Sequence, residues 1–567
     1  MDDTEVATVL PKELRLGAPP TMPQARSYMF RQQSTLSTYT YGQQIQINIP
    51  RLQRSYLRKD SYLSFRLNGQ FKPDLATGQY APDLTLEDCG AWGLFERLEV
   101  FDYLGSTVLE SIDGIPQLMS LLLDIGSVDT LDPNMTGEFA GLAPPRSVVG
   151  VGMDGNTTLA TKTSKGYTIG GIANSLEHYS GMTIASNAIQ KRMEETTKDF
   201  SYQFCISLPS FLGLLSKKSI PLHNGFTIVL TVADQYKPFL QHYPISQFLS
   251  MNHAESTVAN TPVASSATNL FLGNTMGTVN IARGNNYSYS KLLPPATFWW
   301  NLSDVQMVCH ILELGPMAES MLLSTSQGQP LIVHTKALRN YKGEYRKNTT
   351  DFLLPLNLNV ASLTNVFWFM RPDGFENDIN RMSCGLRNYP LIESWDFQYG
   401  STVLPQSNGI QSATSIVPPT SFGNAWAATS NWFETLAPCE AFMELIHARP
   451  VNYTKVRIGR GNYGQKGIPT LGTWGNIPFS MHRQGQGEDG AYSVSKWAGG
   501  LNFELAPNKH GEIICGLNTN GMNTRIHARM LNAAQTDQDC VQSVVDAYAE
   551  YDAFINISPG VATTVSF

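Results

Sequence analysis

Short segments of period-two alternation constrain this chain more than any other feature. Ile45, Ile47 and Ile49 alternate with Gln46 and Asn48, and Leu63, Phe65 and Leu67 alternate with Ser64 and Arg66. Phe200, Tyr202, Phe204 and Ile206 interleave with Ser201, Gln203 and Cys205, while Phe226, Ile228, Leu230 and Val232 run past Thr227 and Thr231. The second half repeats the habit in Trp395, Phe397 and Tyr399, in Leu501, Phe503 and Leu505, and in Ile526, Ala528 and Met530. Successive side chains of a strand point to opposite faces, so each run has one face for a core and one wetter face. Many such strands, separated by long loops rich in Gly, Pro, Asn and Ser, predict an all-β chain of packed sheets. All-β domains run to about 250 residues, so a chain of 567 residues fits two large domains as well as four small ones.

Helical signals are few and short. Segment 116–124 (PQLMSLLLD) and segment 316–323 (PMAESMLL) each open on a proline, which suits a first helical turn. Segment 430–448 reads as helical in pieces, interrupted at Pro438 and closed by Pro450. These are insertions in sandwich loops rather than a helical layer. The polar stretches 125–198 and 234–297 carry almost no regular pattern and read as tower-like insertions.

An internal echo points to duplication. Phe101-Asp102-Tyr103-Leu104-Gly105-Ser106-Thr107-Val108-Leu109 resembles Phe397-Gln398-Tyr399-Gly400-Ser401-Thr402-Val403-Leu404, about half the chain away. Each reads as strand, glycine turn and strand, and the shared context favours two copies of one domain. The join falls near 315–330, after the run 305–314. That run is apolar on both registers, the pattern of a strand buried on both faces.

Composition narrows the class. Hydrophobic residues make up 42% and aromatic residues 10%, enough for extensive cores, which excludes global disorder. Only 15% of residues are charged, against a usual level of about 25%, as expected of a chain that covers much of its surface with other protein. A net charge of -7 argues against wrapping nucleic acid over the whole surface. The seven cysteines are an odd number, scattered, with no CxxC or CxxH pair, so a zinc ribbon is excluded and buried free thiols in a reducing compartment are expected. The opening Met1-Asp2-Asp3-Thr4-Glu5 lacks the features of a signal peptide, and no apolar run reaches the roughly 18 residues of a membrane span. A cytosol-like site of synthesis is expected.

Chemical motifs are sparse. Gly459-Arg460-Gly461-Asn462-Tyr463-Gly464 spells GxGxxG, but Gly467 and Pro469 follow and no helix opens to face a phosphate, so a loop is the expectation. Cys309 and His310 are adjacent, hence on opposite faces of a strand, and cannot act as nucleophile and base together. Glu194-Glu195 lie among Lys191, Arg192 and Lys198 as a solvated cluster rather than a glycosidase pair. No catalytic, metal-binding or cofactor-binding residues are expected. One charge pattern stands out: between residues 14 and 59 there is no acidic residue, while Arg51, Arg54, Arg58 and Lys59 cluster after the first strong strand. Such a cluster suits either a polyanion, nucleic acid or an anionic membrane, or a solvated loop facing a partner subunit's carboxylates.

The order of landmarks then resembles a known family. It runs through the alternating strand 43–50, Ser61-Tyr62-Leu63-Ser64-Phe65-Arg66-Leu67, Leu94-Phe95-Glu96-Arg97-Leu98-Glu99-Val100-Phe101 and a short helix. It continues through Phe204-Cys205-Ile206-Ser207-Leu208-Pro209, Ile220-Pro221-Leu222, Asp304-Val305-Gln306-Met307-Val308, Val366-Phe367-Trp368-Phe369-Met370-Arg371-Pro372 and the closing strand 548–557. Over residues 28–567 this resembles the double jelly-roll major capsid proteins of polinton-like viruses, adintoviruses and virophages. The polar insertions depart most from the pattern.

The resemblance implies two tandem eight-stranded jelly rolls with short helices and long loop insertions: an N-terminal arm (1–27), a first jelly roll with tower insertions (28–315) and a second jelly roll (325–567). It implies a non-enzymatic homotrimer, a pseudo-hexameric capsomer that assembles with neighbouring trimers into the icosahedral capsid of a DNA virus. Its partners would be itself, penton and minor capsid proteins, and the genome or an inner membrane at the base, with no cofactor or small-molecule substrate. The chain would be made in the host cytoplasm or nucleus and reside in the virion. The base placement of Arg51, Arg54, Arg58 and Lys59 on the shell's inner face comes from the resemblance alone. Two other readings fit a β-sandwich chain. A carbohydrate-binding or carbohydrate-active protein would need an aromatic platform or two carboxylates about 5–9 Å apart. A vertex or spike protein of a similar virus would not need two near-equivalent jelly rolls.

Overall fold

The structure, a computed structural model, describes residues 25–74, 83–87, 89–125, 140–142, 183–185, 197–206, 219–242, 294–325, 331–346, 349–373, 376–379, 384–385, 387, 392–406, 409–412, 438–448, 497–504, 516–530, 543–557 and 563–566. The GxGxxG segment, the Glu194-Glu195 pair, Leu505 and most of both tower stretches lie outside the described residues.

The first half contains β1 (Ala25–Gln33), β2 (Thr38–Tyr39), β3 (Gln44–Ile49), β4 (Ser55–Arg58), β5 (Tyr62–Lys72), β6 (Asp83–Leu86), β7 (Phe95–Asp102), β8 (Val108–Asp113), helix α1 (Ile115–Ile125), β9 (Thr183–Ala185), β10 (Lys198–Ile206), β11 (Ser219–Pro221), β12 (Phe226–Val232), β13 (Phe239–His242) and β14 (Thr297–Leu314). Beside a small three-stranded sheet, β13-β6-β9, one main sheet places β1, β14, β5 and β10 side by side, and the other runs β3-β12-β7-β8. With these eight principal strands counted along the chain, the sheets read 1-8-3-6 and 2-7-4-5, the arrangement of a jelly roll.

Helix α2 (Pro316–Thr325) follows, and the second half contains β15 (Leu331–Tyr345), β16 (Asp351–Pro355), β17 (Leu363–Pro372), β18 (Ile392–Tyr399), β19 (Thr402–Leu404), β20 (Ile410–Gln411), helix α3 (Pro438–Ala448), β21 (Gly499–Asn502), β22 (Thr524–Met530), β23 (Ser543–Ile557) and β24 (Thr564–Ser566). Its sheets run β15-β23-β17-β21 and β16-β22-β18-β19, again 1-8-3-6 and 2-7-4-5. The two halves therefore share one topology. The sequence echo falls on the same hairpin in both, β7–β8 and β18–β19, and its glycines Gly105 and Gly400 both take the left-handed conformation, with φ of 71° and 56°.

Each core lies between its two sheets, where the alternating runs predict it. Ile45, Ile47 and Ile49 are buried opposite Leu63, Phe65 and Leu67, with Phe65 edge-on to Phe95 at 5.3 Å. The second core centres on three tryptophans, with Trp368 5.6 Å from Trp395 and 4.9 Å from Trp497. Fully burying one large apolar side chain stabilises by roughly 1.5–3 kcal/mol, so these sets dominate the favourable side of folding.

The run 305–314 differs from expectation. Val305, Met307, Cys309 and Ile311 are buried in the core, and Val308 is buried on the other face, but Gln306, His310 and Leu312 there are only half-buried. A bulge between Ser303 and Gln306, with Asp304 at φ 53°, inserts the extra residue that lets both Leu302 and Val305 face the core. The strands buried on both faces are β17 and most of β23, because the first half of the chain covers their outer face. Helix α3 begins at Pro438, the residue expected to interrupt it, because a first-turn proline lacks only an N–H that has no intrahelical acceptor.

Candidate functional site

Among the described residues, the most elaborate chemistry is at the junction between the two jelly rolls. The outer register of β23 carries Asp546, Tyr548, Glu550 and Asp552, all buried. Buried charge is costly unless paired, and each carboxylate has a partner. Arg371 Nε donates to Asp546 Oδ2 at 2.6 Å, and Arg371 Nη2 reaches Glu376 Oε1 at 2.7 Å. Asn365 Nδ2 donates to Glu550 Oε2 at 2.7 Å, and His334 Nε2 lies 2.8 Å from Asp552 Oδ1. Burial works against the Arg371 charge, but Asp546 and Glu376 outweigh it and raise its pKa further. Burial alone would raise Glu376, yet Arg371 and Lys237 hold it below the usual carboxylate range.

Helix α1 fills the junction from the other side, with all eleven of its residues buried. Just before it, the Gly114 carbonyl accepts a hydrogen bond from the Tyr548 hydroxyl at 2.8 Å. Burial, with Asp546 nearby, pushes the Tyr548 phenol well above its ordinary pKa, so it remains a neutral donor. At the far end of α1, Asp124 Oδ2 accepts from Arg387 Nη2 at 2.7 Å, and the same guanidinium lies 5.2 Å from the Phe369 ring centroid. Cys89 and Cys384, both buried, meet across the junction with sulfurs 3.4 Å apart.

Contacts at opposite ends fix how the two jelly rolls stand. At one end Asn224, in the turn before β12, donates at 3.2 Å to Thr563 Oγ1, next to Thr564, which β24 pairs with Asn556 near the end of β23. At the other, Gln241 N–H in β13 donates to the Ile379 carbonyl at 2.7 Å. The short connections of the first jelly roll (51–61, 103–107 and 222–225) therefore share an end with the C-terminal end of the second. The connections of the first jelly roll that contain the long polar stretches leave it at the opposite end, where Ile379 of the second jelly roll also lies. The jelly rolls stand side by side and point the same way.

The sequence-predicted basic cluster lies at the short-loop end, between β3 and β5. Arg51 Nε donates to the Asn224 carbonyl at 3.1 Å, and its guanidinium sits 4.6 Å over the Tyr103 ring. Arg54, at φ 57°, approaches Glu313 at 3.9 Å and Glu319 at 4.0 Å, and its carbonyl accepts from Leu314 N–H at 2.8 Å. Arg58 pairs with Asp60 at 2.7 Å and donates to Ser27 Oγ at 3.1 Å. Lys59 is exposed. The acidic partners Glu313 and Glu319 are distant in sequence, so local charge counting missed this compensation.

An open groove of about 540 Å³ crosses the outer face of the β3-β12-β7 sheet, lined by Gln44, Gln46, Asn48, Glu99, Phe101 and Tyr103 among others. Glu99 is its single carboxylate and is bound by Arg97 at 2.7 Å, so the groove lacks the paired carboxylates of a glycosidase. Among the described residues, no group of three or more His, Cys, Asp or Glu could hold a metal. Cys89, Cys309 and Cys384 are buried free thiols and Cys205 is half-buried, with burial pushing the Cys309 thiol up to about 12.

No protein-family model matches the sequence, and no curated protein matches it. The likeness lies in structure. A chain of the Sputnik virophage structure, solved by cryo-electron microscopy, aligns over 99% of this chain and 92% of its own at a TM-score of 0.50 and 10% identity. The mavirus major capsid protein aligns over 99% of this chain and 94% of its own, at a TM-score of 0.47 and 10% identity. For the Faustovirus major capsid protein the figures are 98%, 94%, 0.47 and 9%. With the strand order above, the Sputnik likeness defines the fold: the chain is a double jelly-roll protein.

Proposed function

We propose that this chain is a viral major capsid protein whose activity is self-assembly. The observation that carries the reading is the pair of jelly rolls, identical in strand order and standing side by side in one direction. Such a chain presents two near-equivalent edges, one end of short loops and one end from which the long insertions leave. A shell subunit needs that polarity, with an inner and an outer end. The low charged content fits a surface that other copies cover.

In finer terms, three copies form a pseudo-hexameric capsomer, and capsomers pack into an icosahedral shell around a DNA genome beside penton and minor capsid proteins. The chain is made in the host cytoplasm or nucleus and acts in the virion. The short-loop end, with Arg51, Arg54, Arg58 and Lys59, faces inward toward the genome or an inner membrane. No catalytic role and no cofactor form part of this reading. Negative-stain microscopy of the concentrated protein tests it: hexagonal outlines or closed shells are expected, and isolated particles of single-chain size at every concentration would overturn it.

A further inference from the structure

We infer that helix α3 of one copy seats on the open face of the β1-β14-β5 sheet of a second copy, reproducing between chains the seat that α1 has within the chain. The inference rests on the self-assembly reading and names the surface involved.

The argument begins with the two helices. Both have eleven residues, both carry proline in the first turn, and both follow the fifth principal strand of their jelly roll. Gln117, Ser120 and Asp124 share one face of α1, and that face meets the second jelly roll through Asp124–Arg387 and the neighbouring Gly114–Tyr548 bond. Counted from the helix start, Glu440 and Met443 of α3 match Gln117 and Ser120. Here they are exposed, Met443 to 42%, while Ala441, Leu445 and Ile446 are buried in their own jelly roll.

The receiving sheets show the same imbalance. Within the chain, β8 packs against β15, the residue before α1 bonds to Tyr548 of β23, and Asp124 of α1 holds Arg387 over Phe369 of β17, which is buried on both faces. The equivalent face of β1-β14-β5 is open: Met29 is 52% exposed beside Arg31 on β1, Arg66 is exposed on β5 opposite Ser303, and Trp299 is 42% exposed near the start of β14. This is also where 305–314 has a second apolar register that its own chain leaves half-covered. Two like units in head-to-tail contact leave one copy of each mating surface unused, and a second chain satisfies both. Charge agrees at Arg31: α3 presents Glu440, with Glu444 half-exposed, and the open face presents Arg31 and Arg66, the latter 3.9 Å from Asp304.

The test uses the full chain with a photo-crosslinking benzoyl-phenylalanine in place of Met443, mixed with 15N-labelled wild-type protein under assembling conditions. Expected are crosslinks between isotopically distinct chains that land in residues 25–33, 62–72 or 297–314. Assembly with crosslinks confined to one chain or landing elsewhere overturns the seat and leaves self-assembly standing. Absence of any assembly of the wild type overturns both. As a second measurement, Glu440→Arg, on the exposed side of the helix, with Glu444→Arg, half-exposed beside His447, raises the concentration for half-assembly at least tenfold, and adding Arg31→Glu with Arg66→Glu restores most of it. An unchanged midpoint, or no restoration, contradicts the seat.

Discussion

Arg387 and Asp124 form an ion pair of 2.7 Å across the two jelly rolls, with both side chains sealed from solvent. Removing one partner of such a pair leaves an uncompensated buried charge, whereas replacing both with apolar groups is often neutral. Arg387→Ala or Asp124→Ala is therefore expected to cost about 3–5 kcal/mol, and Arg387→Met with Asp124→Leu less than about 1 kcal/mol. Equilibrium unfolding in urea checks this. Single variants within about 0.5 kcal/mol of wild type, on the order of ordinary surface changes, would show that the pair does not hold the junction.

Gly114 lies at φ 68°, and a Cβ there would come within 2.7 Å of the Tyr548 hydroxyl. Gly114→Ala combines left-handed strain of roughly 1–2 kcal/mol with displacement of that hydroxyl. Tyr548→Phe removes only the hydrogen bond and leaves the buried carbonyl without this donor, a cost of about 1–3 kcal/mol. Thermal unfolding of the two variants and their combination is expected to be less than additive, since both act on one contact. Full additivity would contradict the shared contact.

Asp102 supplies a pH dependence. Burial alone would raise its pKa, but hydrogen bonds from Thr107, Ser106 and Gly105 outweigh it and hold the carboxylate below its ordinary value. A depressed carboxylate contributes stability that is fully present above the unfolded pKa of about 3.9 and is lost as pH falls through the lower folded value. Asp102→Asn is expected to be less stable than wild type at about pH 6, with the gap narrowing below about pH 4. A gap independent of pH would assign the difference to shape rather than charge.

At the short-loop end, Arg54→Gln, Arg58→Gln and Lys59→Gln together test the inner-face proposal. Removing one phosphate-neutralising cation flattens the salt dependence of DNA binding by roughly one unit in log K against log [salt]. The triple variant is expected to bind double-stranded DNA or anionic vesicles at least tenfold more weakly at low salt. Equal binding would leave the arginines to their bonds with Glu313, Glu319 and Asp60.

Much of the fold is legible in the residues because period-two alternation reports directly which face meets a core. Ile45, Ile47 and Ile49, or Ile526, Ala528 and Met530, lie where their spacing places them. The Gly105 and Gly400 echo marks equivalent hairpins because the turn needs a residue that tolerates positive φ. The junction was not legible. Nothing local marks Asp546, Glu550 and Asp552 as buried, and only partners distant in sequence, such as Arg371 and Asn365, make their burial tolerable. Local pattern likewise assigned double-sided burial to 305–314, where one chain leaves the second face half-covered. The basic cluster was visible, and Asp60 beside it, but Glu313 and Glu319 come from β14 and α2, which only the folded chain brings near.

The mass of the purified protein in solution tests the central claim most directly. Self-assembly into capsomers predicts a principal species of three times 62.6 kDa, about 190 kDa, with larger assemblies at higher concentration. A species of 62.6 kDa that does not change with concentration would contradict it.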